Sequence, residues 1–101
     1  MPHYLVRLSH GPAWDPARPR RAQDGFEAHA AFMDALVDRG RILIGGPLGY
    51  DVDAGDALLL VEAEDEPAAH SALAQDPWRG TVLTITSVQR WWLWLKSGDS
   101  A

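Results

Sequence analysis

"HYLVRLSHGPAWDPARPRRAQDGFEAHAAFMDAL", residues 3–36, decides the fold. Residues 3–9 alternate, with Tyr4, Val6 and Leu8 on one side and Leu5, Arg7 and Ser9 on the other, which is the period-two pattern of a strand. Residues 11–23 hold Pro12, Pro16 and Pro19 with Gly11, and no period fits them. They read as a loop. From Asp24, a good helix cap, Phe26, Ala30, Met33 and Val37 fall at helical spacing until Gly40 stops the run. A histidine, His29, sits among those apolar positions.

Working outward, "RILIGGPL" at 41–48 reads as a strand broken by Gly45, Gly46 and Pro47, and "DALLLVEA" at 56–63 as the next, with a hairpin loop between. Asp65 caps a short helix with Pro67 in its first turn, ending near Gln75 because Pro77 forbids continuation. "TVLTITSVQRWWLWL" at 81–95 is rich in β-branched and aromatic residues and reads as the last strand. The order β-α-β-β-α-β, with short connections and right-handed crossovers, makes an α+β, ferredoxin-like antiparallel sheet of order 4-1-3-2 with both helices on one face. Leu58–Val61 and Trp91–Leu95 are apolar on both strand faces, so the helix-free face is expected to be covered by a second copy of the chain.

At 101 residues and 47% hydrophobic composition the chain is expected to be one domain, 1–101, with a core of its own. It has no cysteine, hence no disulfide and no thiolate metal site. A net charge of -5 argues against a general nucleic-acid binder, which needs a basic surface. No stretch approaches the ~18 apolar residues of a membrane span, and no leader is apparent, so a cytoplasmic location with no membrane partner is expected.

The topology also says where chemistry could occur. The start of helix one and the end of helix two lie at the same sheet edge, which collects the 11–23 loop, His10, His29, the hairpin after Gly45 and "DPWRG" at 76–80. His29 and Asp76 should therefore meet. An aspartate accepting from one ring nitrogen fixes the tautomer and leaves the other nitrogen free as a base. The plainer alternative for His29 is a core histidine satisfied by its neighbours, and for Asp76 a helix-end residue before Pro77. Gly46 and Pro47 would let a ligand approach closely. Trp14 would be the apolar contact of the 11–23 loop acting as a lid, with Arg18, Arg20 or Arg21 meeting an anion. His10, Trp14, Gly46, Pro47 and Trp78 are thus the expected substrate-binding set. No metal is expected, because Asp51, Asp53 and Asp56 lack calcium-loop spacing and there is no His-x-His or His-Glu-x-x-His. Gly45-Gly46-Pro47 lacks the Lys-Ser/Thr of a phosphate cradle, and no cofactor is expected.

The opening "YLVRL", the run "EAHAAFMDALVDRGRILIGGPL" and the late "ALAQDPW" together resemble the YciI-like (YCII-related domain) family. The resemblance spans roughly residues 3–95 and implies a dimeric α+β barrel whose active site centres on a histidine and an aspartate; by position these are His29 and Asp76. The expected function is a homodimeric small-molecule enzyme doing general acid/base chemistry of the isomerase or lyase type. A non-catalytic binding or sensory module on the same scaffold is the alternative, and a purely structural dimerisation domain a third.

Overall fold

A computed structural model describes residues 1–98. Four strands and two helices follow one another as β1 (His3–His10), α1 (Phe26–Asp38), β2 (Ile42–Pro47), β3 (Ala57–Glu62), α2 (Glu66–Ala72) and β4 (Leu83–Arg90). The sheet order is β2-β3-β1-β4, every neighbour antiparallel. This is the α+β ferredoxin-like arrangement that the alternation of β1 and the spacing of α1 predict.

The register explains the core. Tyr4 pairs with Val61, Val6 with Leu59 and Leu8 with Ala57, so the inward residues of both central strands lie on one face. Leu36 of α1 and Ala69 of α2 are buried in the same cluster, with Leu73 and Trp78 from the segment after α2. Val6 and Val61 are fully enclosed; each such aliphatic side chain stabilises the fold by about 1.5–3 kcal/mol relative to exposure.

Four local expectations change. Asp24 does not cap α1: Gly25 holds that place at φ 78°, a left-handed conformation that glycine adopts without cost. The Gly-Gly-Pro segment does not break β2 but lies within it. Gly45 pairs with Leu59, whose Cδ2 would sit 2.7 Å from a Cβ there, and Pro47 is tolerated because β2 is an edge strand. Asp65 caps α2 as expected, accepting from Ala68 N at 2.9 Å, but the helix ends at Ala72 and turns carry the chain on to Asp76. Finally, β4 ends at Arg90 instead of Leu95. Its ladder partner β1 begins at His3, whose carbonyl takes the last bond from Trp91 N (2.9 Å), and no strand remains for Trp92 to pair with.

That early end alters the helix-free face. Leu5, Ile44, Leu58 and Leu60 make it apolar over β1, β2 and β3, whereas β4 presents Thr84, Ser87 and Gln89 opposite Ser9, Arg7 and Leu5. Trp92 and Trp94 lie past the strand, 65% and 89% exposed. Among the described residues no helix is long and apolar enough to cross a membrane.

The 11–23 loop is a pinned wall with one 3-10 turn, Arg20–Ala22. Gly11 N and Ala13 N donate to the Val82 and Thr81 carbonyls at 2.9 and 2.8 Å, and Arg20 N donates to Asp53 O at 3.1 Å. The Gln23 amide holds the loop from within: Oε1 accepts from Asp15 N, and Nε2 donates to the Asp15 and Arg18 carbonyls. A segment tied at both edges and its middle is not a free lid.

Candidate active site

Asp76 is placed by the chain's failure to continue α2. Its backbone N donates to Leu73 O (3.2 Å), Pro77 then bars further helix, and the carboxylate folds back so that Oδ1 accepts from Trp78 N at 3.0 Å. His29 lies one turn into α1, its own N bonded to Gly25 O at 3.0 Å. The two meet as the topology requires: His29 Nδ1 is 2.8 Å from Asp76 Oδ1, across 47 sequence positions. Their side chains are 12% and 4% exposed.

The proton assignment follows from chemistry. An ionised carboxylate can only accept, so Nδ1 carries the hydrogen and the neutral ring holds its lone pair on Nε2. Nε2 has no hydrogen-bond partner among the described residues, and none of their fully enclosed side-chain polar atoms lacks one. Nε2 is therefore the accessible nitrogen, and His29 lines two adjoining cavities of about 220 and 510 Å³. Both are bounded by Arg20, His29, Met33, Asp34, Gly46 and Pro47.

Trp78 sets the plane of the imidazole. Its ring stacks on His29 with centroids 4.1 Å apart and planes 10° off parallel, and it meets Phe26 in a tilted contact at 5.8 Å. Its Nε1 donates to Asp24 O at 2.7 Å, tying the entry of α1 to the turn that carries Asp76. Expected as a ligand contact, Trp78 is instead 1% exposed and belongs to neither cavity, because its ring is covered by His29 and Phe26. It is the platform under the histidine.

Of the other expected contacts, Gly46 and Pro47 do line the cavities. His10 and Trp14 do not. They stack on each other at 3.9 Å, and Trp14, packed against the core, reaches Arg20, whose guanidinium carbon lies 5.4 Å from its ring centre. Arg18 pairs with the exposed Asp24 at 3.2 Å away from the cavities, whereas Arg21, paired with Asp53 at 3.8 Å, lines the larger cavity together with it.

Arg20 is the residue that the sequence does not single out from its neighbours. It is 8% exposed, with Nε donating to Val52 O at 3.0 Å and Nη2 to the Gly55 carbonyl. Burial pushes its pKa down while Asp53 and Asp56 oppose the shift, and a guanidinium so placed stays charged. Nothing in "RPRR" distinguishes it, since its partners are carbonyls of a hairpin more than thirty residues away. Met33, read as helix-one core, and Asp34 also border the cavities.

A third cavity, about 390 Å³ on the helix-free face, is bordered by Leu5, Ile44, Leu58, Leu60 and Trp91 among others and holds no titratable side chain. Among the described residues no three potential His, Asp or Glu ligands come together to hold a metal ion.

No family model and no curated protein matches the chain. A solved structure does: the 5-chloro-2-hydroxyhydroquinone dehydrochlorinase of Burkholderia phenoliruptrix AC1100, in complex with 2,5-dihydroxybenzoquinone, is 28% identical over 90% of this chain and 93% of its own, with a TM-score of 0.60. The likeness covers nearly the whole of both chains and is consistent with the YciI-like resemblance of the sequence. The fold is thus one that carries a small-molecule enzyme.

Proposed function

We propose that this chain is a lyase-type enzyme for a small hydroxylated ring compound, with His29 Nε2 as the general base and Asp76 orienting the ring. The observation that carries the reading is the imidazole held by Asp76 at 2.8 Å and by the Trp78 stack, its second nitrogen open to a cavity. Eliminating hydrogen chloride, as the similar enzyme's name describes, needs a base for the proton lost along with chloride. Cavities of about 150 Å³ already hold benzene, and the inner one here, about 220 Å³, has room for a substituted ring. The apolar walls of Met33, Leu59 and Leu83 suit a ring's faces.

The test is chloride release from 5-chloro-2-hydroxyhydroquinone, followed with a chloride electrode, beside calorimetric titration of 2,5-dihydroxybenzoquinone. Turnover supports the enzyme. Ligand binding without chloride release would instead favour a binding module. In an active enzyme Asp76→Asn should lower kcat by about 10²-fold and leave KM within about threefold, because the ring stays stacked but loses the carboxylate charge that steadies the imidazolium formed when Nε2 takes a proton. Equal losses in kcat and in thermal stability would reduce Asp76 to a structural role.

The chain should also act as a homodimer joined through the helix-free face. Leu5 and Leu58, both part-exposed, and the 65% exposed Ile44 would otherwise present an apolar surface to water. Light scattering should give twice the 11.1 kDa chain mass, and Ile44→Asp, at a position already exposed and costing little in folding, should return the monomer. A wild-type monomer at micromolar concentration would refute the dimer.

A further inference from the structure

Arg20 is a buried cation with no carboxylate of its own. The nearby Asp53 lies 3.8 Å from Arg21 and Asp56 lies 2.8 Å from Arg7, while Arg20 forms no ion pair among the described residues. Its direct partners are two carbonyls and the face of Trp14, with Asp53 and Asp56 acting on it only from beyond ion-pair distance. Withdrawing a guanidinium from water without a carboxylate in direct contact is unfavourable, so an anion brought into contact would be held strongly. The third nitrogen, Nη1, has no partner, and since no fully enclosed polar atom among the described residues is unpaired, Nη1 must be accessible. The accessible surface of Arg20 opens on the two cavities that it shares with His29.

We propose that Arg20 Nη1 receives the negative charge of the ligand, making the site selective for anionic ring compounds such as carboxylates, phenolates or ionised hydroxyquinones. Val52 and Gly55 hold the fork rigid, so the charged donor is in place before the ligand arrives. Gly46 and Pro47 leave the facing wall low, and Met33 supplies an apolar contact for the ring. The acidic residues in the lining do not pair with Arg20: Asp34 is exposed and unpaired, and Asp53, which supports the Arg20 charge from a distance, pairs with Arg21 in the same lining. The inference rests on the His29 cavity being the ligand site, but not on turnover.

Binding alone therefore tests it, with benzoate and benzamide as probes of nearly equal shape that differ in charge. Titration of the whole chain should show benzoate bound at least about tenfold more tightly than benzamide, as a charge-assisted hydrogen bond would give. Arg20→Gln should abolish that preference, and His29→Asn should keep it. Equal affinities in the wild type overturn the proposal; so does a preference that survives Arg20→Gln or disappears in His29→Asn, which would place the charge-reading group at the histidine. Should Arg20→Gln fail to fold, the side-chain nitrogen resonances of Arg20 in labelled wild-type protein decide. They should move with benzoate and not with benzamide, and resonances unmoved at saturating benzoate would overturn the assignment. Because every arm reads binding, an inactive protein that still prefers benzoate through Arg20 would refute the proposed catalysis and leave the anion seat standing.

Discussion

His29→Ala is expected to lower kcat by about three orders of magnitude, within the 10²–10⁴ range that a positioned general base contributes. That is ~4 kcal/mol of transition-state stabilisation. The loss should fall on kcat more than on KM, because Nε2 meets the proton that moves while the ring of the ligand rests on Met33 and the sheet. Folding should suffer less. Asp76 Oδ1 keeps its bond from Trp78 N, and the cost is one buried hydrogen bond and one stack, about 1–2 kcal/mol. For a domain of this size each kcal/mol lowers the melting temperature by about 4–8 °C. Free imidazole should restore part of the rate by entering the space that the side chain leaves. A variant with wild-type kcat would make His29 a packed core residue and remove the proposed mechanism.

Trp78→Ala should produce the largest loss of stability of any single truncation at the site, about 3–5 kcal/mol, the usual cost of emptying a buried aromatic position. The indole is the largest fully enclosed side chain in the protein's described part, so the cavity would be large. The variant would also lose the bond to Asp24 O, releasing the entry of α1 from the turn that carries Asp76. Thermal or urea unfolding measures the loss, and a change below about 1 kcal/mol would show that the site can collapse around the gap. Trp78→Phe separates the two contributions. It retains an aromatic platform but no donor, so stability should fall by about 1 kcal/mol, while kcat falls further as the imidazole loses its fixed plane.

The β1 alternation and the helical spacing of Phe26, Ala30 and Met33 made the sheet and first helix legible, because each element satisfies a local period that burial then enforces. The approach of His29 to Asp76 was legible from topology: opposite-running helices bring the start of one beside the end of the other. Features set by a distant partner were not. β4 stops at Arg90 because β1 begins at His3, a fact about pairing that the apolar run Trp91–Leu95 hides. Gly25 displaces Asp24 as the cap because the chain enters α1 in the left-handed conformation, φ 78°, that favours glycine, while the Asp24 carbonyl is taken by the indole of Trp78. Arg20 differs from Arg18 and Arg21 only through the hairpin carbonyls of Val52 and Gly55. Trp14, His10 and Trp78 were placed at the correct edge, but alternation along a chain does not say which side of a loop or stack a ring will take.

The His29–Trp78 stack also gives the protein an optical reporter of its own. An imidazolium in contact with an indole accepts an electron from the excited ring and quenches its emission, whereas a neutral imidazole does so far less. Trp78 is enclosed while Trp91, Trp92 and Trp94 face water; Trp14, half-buried and stacked on His10, forms a second such pair, so a Trp14→Phe background would leave Trp78 as the enclosed emitter. Its intensity at the blue edge of the spectrum would then read the charge on His29 directly, without label or substrate. A proton handed to the histidine during a reaction would register there as a transient dimming.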